Sequence, residues 1–204
     1  MEIVSFALTP FLTNCFVLRD GGEAIIVDPG EAPSELLESV VGDRVRAVVN
    51  THCHCDHCGG NAEVVRRTGA ELLCHKDDLP LLRMVASQGM MFGVPFPASP
   101  DPSRFVKEGD ILEVGSTRLT VYHTPGHSPG HIILVGDGFV IGGDVLFAGS
   151  IGRTDLPGGN FSQIMNSIRT KLLVLSDDTV VYCGHGPSTT IGAERQTNPF
   201  LAGS

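Results

Sequence analysis

The chain has 204 residues, of which 42% are hydrophobic and 18% are charged, and these values are typical of one globular domain over residues 1–204. The composition argues against a collagen-like, disordered or nucleic-acid-coating chain. A formal net charge of −9 repels polyanions, which also argues against nucleic acid and anionic membrane surfaces as partners. We therefore expect a small-molecule partner, whereas the oligomeric state is not predicted.

Short strands and helices alternate in the first half of the sequence. Apolar and β-branched runs at 2–8, 12–19 and 23–28 predict an antiparallel meander, because turn residues separate them. The elements expected after it are a short helix from Ser34, a strand at 45–50, a helix at 59–68, a strand at 70–74 and a helix at 77–88.

The segment Gly89–Pro102 is rich in proline and glycine, so we expect a long mobile loop there, either a lid or a connector. Beyond it the pattern predicts a second meander, a helix and a final strand, at 104–106, 111–114, 117–123, 131–136, 138–142, 161–175 and 179–183. Each meander ends on an aspartate beside glycine, Asp28 in the first and Asp144 in the second. The expected architecture is a sandwich of two sheets with outer helices.

Two classes of targeting segment are not visible in the sequence. No stretch approaches the roughly 18 consecutive apolar residues of a membrane-spanning helix. Residues 1–20 lack both the basic start and the small-residue cleavage site of a signal peptide. We therefore expect a cytoplasmic protein without a membrane partner.

Histidines and an aspartate cluster at one point of the chain. The segment THCHCDH contains His52, His54, Asp56 and His57, and it follows a predicted strand and precedes a predicted helix. A turn at such a position lies at the edge of a sheet, where the backbone is fixed. Three imidazoles and a carboxylate this close together are hard to explain by packing, so we interpret them as functional.

Three further residues have the same setting. His127 in TPGHSPGH, Asp144 in IGGDVLF and His185 in YCGHGP each follow an apolar strand and lie beside glycine. Imidazole and carboxylate ligands suit zinc or iron and tolerate open coordination positions. The sequence therefore predicts a metal site built from loops at strand ends.

With these residues the sequence resembles the metallo-β-lactamase superfamily over essentially the whole chain. It is more similar still to the small glyoxalase-II-like hydrolases, through VDPG at 27–30, GHSPGH at 126–131, GDVLFAGSIGRTDLPGG at 143–159, GHGPSTTIGAE at 184–194 and RQTNPFL at 195–201. The fold that this resemblance implies belongs to the α+β class and is a four-layer αβ/βα sandwich of two mixed β-sheets with outer helices.

The resemblance also implies a binuclear metal centre. One site would comprise His52, His54 and His127, the other Asp56, His57 and His185, with Asp144 as the bridge. The implied cofactors are two divalent metal ions, with zinc as the first choice and iron or manganese as alternatives. Such a pair supplies hydroxide as the nucleophile, and Asp56 is expected to be the catalytic residue that orients it and relays a proton.

Other histidines and Asp28 have less specific interpretations. Asp28 resembles the superfamily's aspartate that braces the His-rich loop, but it could equally cap the turn at Pro29-Gly30. We expect His75, His123 and His131 to be ordinary hydrogen-bonded histidines.

Two motifs offer rival chemistry. Cys55 and Cys58 form a C-x-x-C pair, which is typical of redox sites or half of a structural zinc site, but no second C-x-x-C is present. The segment GHSPG around Ser128 matches the nucleophile elbow of serine hydrolases, but Pro129 follows it instead of a helix. We expect neither to carry the activity, and the role of the thiols beside the predicted ligands stays open.

The resemblance implies hydrolysis of a thioester of the S-D-lactoylglutathione type by metal-bound hydroxide. Larger glyoxalase II enzymes hold glutathione with a helical C-terminal region, and this chain ends soon after His185, so we expect weak binding of glutathione. The alternative is a mononuclear iron persulfide dioxygenase that acts on glutathione persulfide. That family shares the HxHxDH motif and a GRTD segment like Gly152–Asp155.

Overall fold

The computed structural model describes residues 1–201, so the last three residues of the expected domain lie outside it. Two six-stranded β-sheets pack face to face, and helices cover the outer face of each sheet. This arrangement confirms the predicted α+β sandwich of two mixed sheets.

The first sheet has the strand order β1-β2-β3-β4-β5-β6. Its strands are β1 (Glu2–Leu8), β2 (Thr13–Asp20), β3 (Glu23–Val27), β4 (Arg44–Val49), β5 (Glu71–His75) and β6 (Arg104–Val106). β1, β2 and β3 pair antiparallel, whereas β3 to β6 run parallel. The carboxyl ends of β3 and β4 therefore lie at the same edge.

The second sheet has the order β14-β13-β10-β9-β8-β7. Its strands are β7 (Ile111–Val114), β8 (Thr117–His123), β9 (Ile132–Gly136), β10 (Phe139–Gly143), β13 (Val180–Cys183) and β14 (Thr189–Thr190), and β11 (Leu146–Phe147) and β12 (Ser150–Ile151) form a separate hairpin. β10 and β13 are parallel, and the other pairs of this sheet are antiparallel.

The helices are short. They are α1 (Ser34–Ser39), α2 (Cys55–Cys58), α3 (Asn61–Thr68), α4 (Leu79–Arg83), α5 (Val85–Met91), α6 (Phe161–Ser167) and α7 (Ile191–Thr197). A 3₁₀ turn at Lys76–Asp78 precedes α4, and a π-helical turn at Ile168–Leu172 extends α6. Within residues 1–201, no helix is both long enough and apolar enough to cross a membrane.

Strand alternation explains why the sheets are buried on both faces. In β2, Phe16 and Leu18 point into the layer between the sheets, whereas Cys15 and Val17 point toward the helices outside the first sheet. Successive side chains of a strand point to opposite faces, so a continuous apolar run fills two layers at once. Each sheet is thereby held rigidly, and its strand ends offer a fixed platform for a site.

The helix predicted at 77–88 is wrong as one element. It is a 3₁₀ turn followed by α4 and α5, with Met84 between them at φ −101° and ψ 6°. α5 continues through Gly89, where the sequence predicts a loop, because the backbone there packs tightly. A Cβ at Gly89 would lie 2.4 Å from the carbonyl oxygen of Val94, so this glycine serves a close approach and does not end the helix.

Two elements near the C-terminus also differ from the prediction. The helix expected at 161–175 ends at Leu172, after the π-helical turn. α7 is not predicted from the sequence, although Thr190 caps it by accepting a hydrogen bond from the amide of Ala193. Gly192 weakens the helix signal, and it is needed because a Cβ would lie 2.8 Å from the side chain of Asp177.

Candidate metal centre

The candidate site lies at the edge where β3, β4, β10 and β13 end. Asp28 follows β3, the His-rich loop 52–57 follows β4, Asp144 follows β10 and His185 is two residues beyond β13. The loop between β8 and β9 contributes the remaining histidine. The structure brings all seven predicted ligands together here: His52, His54, Asp56, His57, His127, Asp144 and His185.

One group, which we call the first trio, consists of His52, His54 and His127. The Nε2 atom of His127 lies 2.9 Å from Nδ1 of His54 and 3.2 Å from Nε2 of His52. Nitrogens about 2.1 Å from one tetrahedral zinc ion lie roughly 3.4 Å apart. The three nitrogens therefore converge at nearly the spacing that one ion requires.

The second trio consists of Asp56, His57 and His185. The Oδ2 atom of Asp56 lies 3.5 Å from Nε2 of His57 and 3.3 Å from Nε2 of His185, and the two nitrogens are 3.4 Å apart. These separations match donor atoms that share one cation. The set contains one carboxylate and two imidazoles, which is a donor set for a borderline metal ion.

Asp144 lies between the two trios. Its Oδ2 is 3.5 Å from Nε2 of His127 and 3.4 Å from Nε2 of His185, and its Oδ1 is 3.5 Å from Nε2 of His57. Oδ1 is buried and has no hydrogen-bond partner among residues 1–201. A buried carboxylate oxygen without a donor is unfavourable, and a cation beside it would satisfy it. The donor set thus fits metal ions on both sides of Asp144.

Hydrogen bonds from the opposite ring nitrogen orient three of the histidines. In each, Nδ1 faces a fixed oxygen acceptor, which leaves the lone pair of Nε2 for a metal ion. The three pairs are His57 with Oδ2 of Asp28 at 3.0 Å, His127 with the carbonyl of Arg153 at 2.8 Å and His185 with the carbonyl of Phe11 at 3.1 Å.

The electrostatics differ between the trios. Burial and the neighbouring His127 together lower the pKa of His54 to about 3, so the imidazole is neutral. Burial also disfavours charge on His57, but Asp56 and Asp144 outweigh it and raise its pKa to about 9. The same carboxylates raise the pKa of His185 to about 10 against its burial. Excess negative charge at the second trio therefore attracts cations, and metal ions must displace protons there.

Asp28 braces the His-rich loop, as one of its two interpretations predicts. Its Oδ1 accepts from the amide of Thr51 at 2.7 Å, and its Oδ2 accepts from the Thr51 hydroxyl at 2.6 Å and from His57. The amide of Gly30 bonds to the backbone carbonyl of Asp28 instead of its carboxylate. The carboxylate of Asp28 therefore stabilises the His-rich loop, whereas the turn at Pro29-Gly30 is closed by a backbone hydrogen bond.

Asp78 is a site residue that the sequence analysis misses. Its buried carboxylate accepts hydrogen bonds from the amide of Cys53 at 2.9 Å, the hydroxyl of Ser128 at 2.7 Å and the amide of Gly130 at 2.5 Å. It thereby ties the His-rich loop to the loop that carries His127. Ser128 is buried and committed to this contact, which excludes it as an exposed nucleophile.

Two more residues hold the His-rich loop. Gln88 of α5 accepts from the amide of Cys55 at 3.2 Å and donates to the carbonyl of Cys53 at 3.1 Å. Thr13, at the start of β2, donates its hydroxyl to Oδ2 of Asp56 at 2.8 Å. No local motif marks either residue, because each acts across the fold.

Comparison with known proteins agrees with this geometry. A model of the metallo-beta-lactamase superfamily matches residues 8–185. The chain belongs to the metallo-β-lactamase superfamily. A relative from Haemophilus influenzae, named hydroxyacylglutathione hydrolase GloC, is 37% identical over 98% of this chain and 98% of its own length.

Solved structures of similar proteins cover the chain almost completely. BLEG-1, named a B3 metallo-beta-lactamase, has a TM-score of 0.91 and 34% identity over 99% of this chain and 100% of its own. TTHA1623 in a di-iron-bound form has a TM-score of 0.89 and 36% identity over 97% and 100%. ETHE1 from Myxococcus xanthus has a TM-score of 0.81 and 26% identity over 100% and 86%.

In this metallo-β-lactamase superfamily chain, a cavity of about 220 Å³ opens onto both trios. Its walls combine ligand side chains with apolar residues and one cation: Phe11, His54, Cys55, Asp56, Gln88, Phe92, His127, Asp144, Arg153, Leu156 and His185. The cavity therefore gives access to the candidate metal centre.

The remaining histidines are hydrogen-bonded, as predicted. His131 accepts from the amide of Asp144 at 3.0 Å and so positions that residue. The rings of His75 and His123 stack at 4.1 Å, and His123 donates to the carbonyl of Pro129. Because the two rings are nearly parallel, the in-plane lone pairs of His75 and His123 do not point at a common position, so the pair is poorly arranged to bind one metal ion.

The cysteines are buried free thiols. Burial raises the pKa of both Cys55 and Cys58 to about 11. A redox pair needs a stabilised thiolate, and this environment does the opposite.

Proposed function

We propose that the chain is a binuclear metal-dependent hydrolase that cleaves a thioester of the S-D-lactoylglutathione type. The observation that carries the proposal is the presence of two complete ligand trios, one on each side of Asp144. The likeness to the hydroxyacylglutathione hydrolase GloC supports the substrate class, and the likeness to di-iron TTHA1623 supports two ions. Zinc is the first candidate for the metal, and iron and manganese are the alternatives.

In this proposal the two trios would hold the ions, with Asp144 available to both. Divalent ions at this position would supply activation of a water molecule and polarisation of the thioester carbonyl. Asp56 is the catalytic residue, because its carboxylate lies on the cavity wall and the Thr13 hydroxyl holds Oδ2 in place. It accepts a proton from the attacking water and returns it to the leaving sulfur. The C–O bond forms first by addition of water to the carbonyl carbon, the C–S bond then breaks, and the products are a carboxylic acid and a thiol.

Metal content and turnover test this proposal together. Protein purified without added metal is analysed for metal per chain, and hydrolysis of S-D-lactoylglutathione is measured on the same sample. We expect two equivalents in the wild type and one in His185→Ala, which removes a member of the second trio. Phe105→Ala, at an exposed aromatic outside the cavity, should keep two. One equivalent in both the wild type and His185→Ala, without thioester hydrolysis, would overturn the proposal.

A mononuclear iron persulfide dioxygenase is the second candidate. The observation in its favour is the GRTD segment at 152–155, where the Arg153 carbonyl accepts from His127 and so orients a member of the first trio. The likeness to ETHE1 is compatible with this function. Oxygen consumption with glutathione persulfide by a protein that holds a single iron would establish it in place of hydrolysis.

A further inference from the structure

Exposed apolar side chains border the mouth of the cavity. We define the apolar lip as Phe11 of the β1–β2 turn and Phe92 at the end of α5, which are both exposed; their chain neighbours Leu12 and Met91 are exposed as well. The rings of Phe11 and Phe92 meet edge to face with centroids 5.8 Å apart, and both line the cavity. Adjacent exposed apolar side chains at a cavity mouth mark a binding surface.

The lip is tied to the metal centre on both sides. The Phe11 carbonyl accepts from Nδ1 of His185, and Leu12 in the same turn has a φ of 55°, which a residue with a side chain rarely adopts. On the other side Gln88, one helical turn before Phe92, bonds to the amide of Cys55. The lip therefore has a defined position relative to the proposed ligands.

Cations that could bind an acidic substrate are scarce around the cavity. Arg153 is the one Lys or Arg side chain on its wall in the described part of the chain. Its Nε and Nη2 atoms each donate a hydrogen bond of 2.7 Å to the carboxylate of Asp155. The carboxylates of a peptide thiol would have to compete with Asp155 for this single guanidinium, and the net charge of −9 repels them.

The size of the cavity limits which part of a thioester substrate it can hold. Its volume of about 220 Å³ is below the roughly 300–1,000 Å³ of pockets that enclose a drug-sized ligand. The thioester carbonyl and a small acyl group fit inside. We place the thiol portion of the substrate against Phe11 and Phe92, the two aromatic residues of the cavity wall.

We propose that the apolar lip selects thioesters whose thiol portion is neutral and apolar, such as an aryl or alkyl thiol, over those of an acidic peptide thiol. This inference rests on the proposed thioesterase function and specifies its substrate class. Apolar contact at the mouth contributes to substrate binding, whereas the chemistry inside the cavity is common to all thioesters.

The test compares lactoyl thioesters of benzyl mercaptan, N-acetylcysteamine and glutathione on the metal-loaded full chain. We expect kcat/KM for the benzyl thioester to exceed that for the glutathione thioester at least about tenfold. Phe92→Ala should raise KM for the benzyl thioester roughly five- to tenfold, which is the scale of one lost aromatic contact, with little change for glutathione. Phe92→Lys should shift the preference toward glutathione.

Phe105→Ala is the matched control, because Phe105 is exposed to 46% and Phe92 to 47%, and Phe105 does not line the cavity. Equal kcat/KM for the three substrates, or an equal loss for all of them in Phe92→Ala, would overturn the role of the lip and leave the hydrolase proposal intact. If no thioester is hydrolysed, the proposed function fails. Calorimetry with (benzylthio)acetate and (methylthio)acetate, in which the carboxymethyl group stands in for the acyl group, then decides the lip separately, since the lip is refuted if Phe92→Ala does not weaken binding of the benzyl compound.

Discussion

Replacing Asp78 by asparagine perturbs the metal centre without removing a proposed ligand. If the amide oxygen keeps the bond to Gly130, the NH₂ group takes the position where Oδ2 accepts from Cys53 and Ser128. The hydroxyl of Ser128 can rotate and accept instead of donate, but the backbone amide of Cys53 cannot. The variant therefore leaves one buried N–H group without an acceptor, between two residues of the first trio.

The size of the effect follows from two opposing terms. A buried N–H group without an acceptor costs about 1–3 kcal/mol. Burial raises the pKa of Asp78 in spite of its hydrogen bonds, so the ionised carboxylate is itself unfavourable and its removal offsets part of this loss. We expect the free energy of unfolding of the metal-free protein to fall by about 1–2 kcal/mol. Metal affinity should fall roughly 10–100-fold, as for other residues that orient ligands.

Two measurements separate these effects. Urea unfolding of the metal-free protein gives the loss of stability, and competition with a chromophoric chelator gives the metal affinity. Asp77→Asn is the matched control. The carboxylate of Asp77 is next to Asp78 in the chain but is exposed, and it lies 3.7 Å from Nδ1 of His75, outside the candidate metal centre. The reasoning is refuted if Asp78→Asn keeps the wild-type metal affinity, or if Asp77→Asn loses as much.

Three further predictions concern single side chains. Asp56→Ala should abolish thioester hydrolysis while the far-ultraviolet circular dichroism spectrum stays native, since Asp56 is not part of the apolar core; near-full turnover with intact metal would contradict its catalytic role. His131→Ala should lower metal affinity less than His127→Ala, because His131 contacts the Asp144 amide and not the convergent nitrogens; equal losses in the chelator assay would show otherwise. Hydrogen bonds from Ser116 and Thr117 lower the pKa of Asp20 from 3.8 to about 2. Ionised Asp20 therefore stabilises the folded protein above pH 3.8, and this stabilisation is lost as the pH falls through about 2. Asp20→Asn should therefore lower the urea midpoint at pH 7, and its difference from the wild type should shrink steadily as the pH falls from 4 toward and below about 2, whereas a constant difference would refute this linkage.

The sequence reveals the ligands that follow local rules. His52 to His57 form one motif whose spacing is visible in the chain, and His127, Asp144 and His185 each follow a strand beside glycine. Parallel pairing of β3 with β4 and of β10 with β13 then brings the ends of these strands to one edge. Sequence periodicity predicts the strands of three or more residues to within about one residue because both faces of each sheet are buried, but it misses the two-residue strands β11, β12 and β14.

Residues that act through tertiary contacts cannot be found in this way. Asp77 and Asp78 are adjacent and chemically identical in the sequence, and only the fold exposes one and buries the other among three donors. Gly89 and Gly192 weaken the local helix signal, yet both lie inside helices because neighbouring atoms leave no room for a Cβ. Local propensity and packing disagree at these positions, and packing decides the structure.

The order of the ligands along the chain also sets an order of assembly. Every member of the first trio has been synthesised by residue 127, whereas the second trio waits for His185. β2 is joined to the segment that carries His185. The backbone amide of Asn14 donates to the carbonyl of Gly184, and its side-chain amide donates to the backbone carbonyl of Cys183. A chain that stops before β13 contains every residue of the first trio but lacks His185 of the second. Synthesis of the residues for the second trio is therefore completed only when β13 and the segment after it have been made.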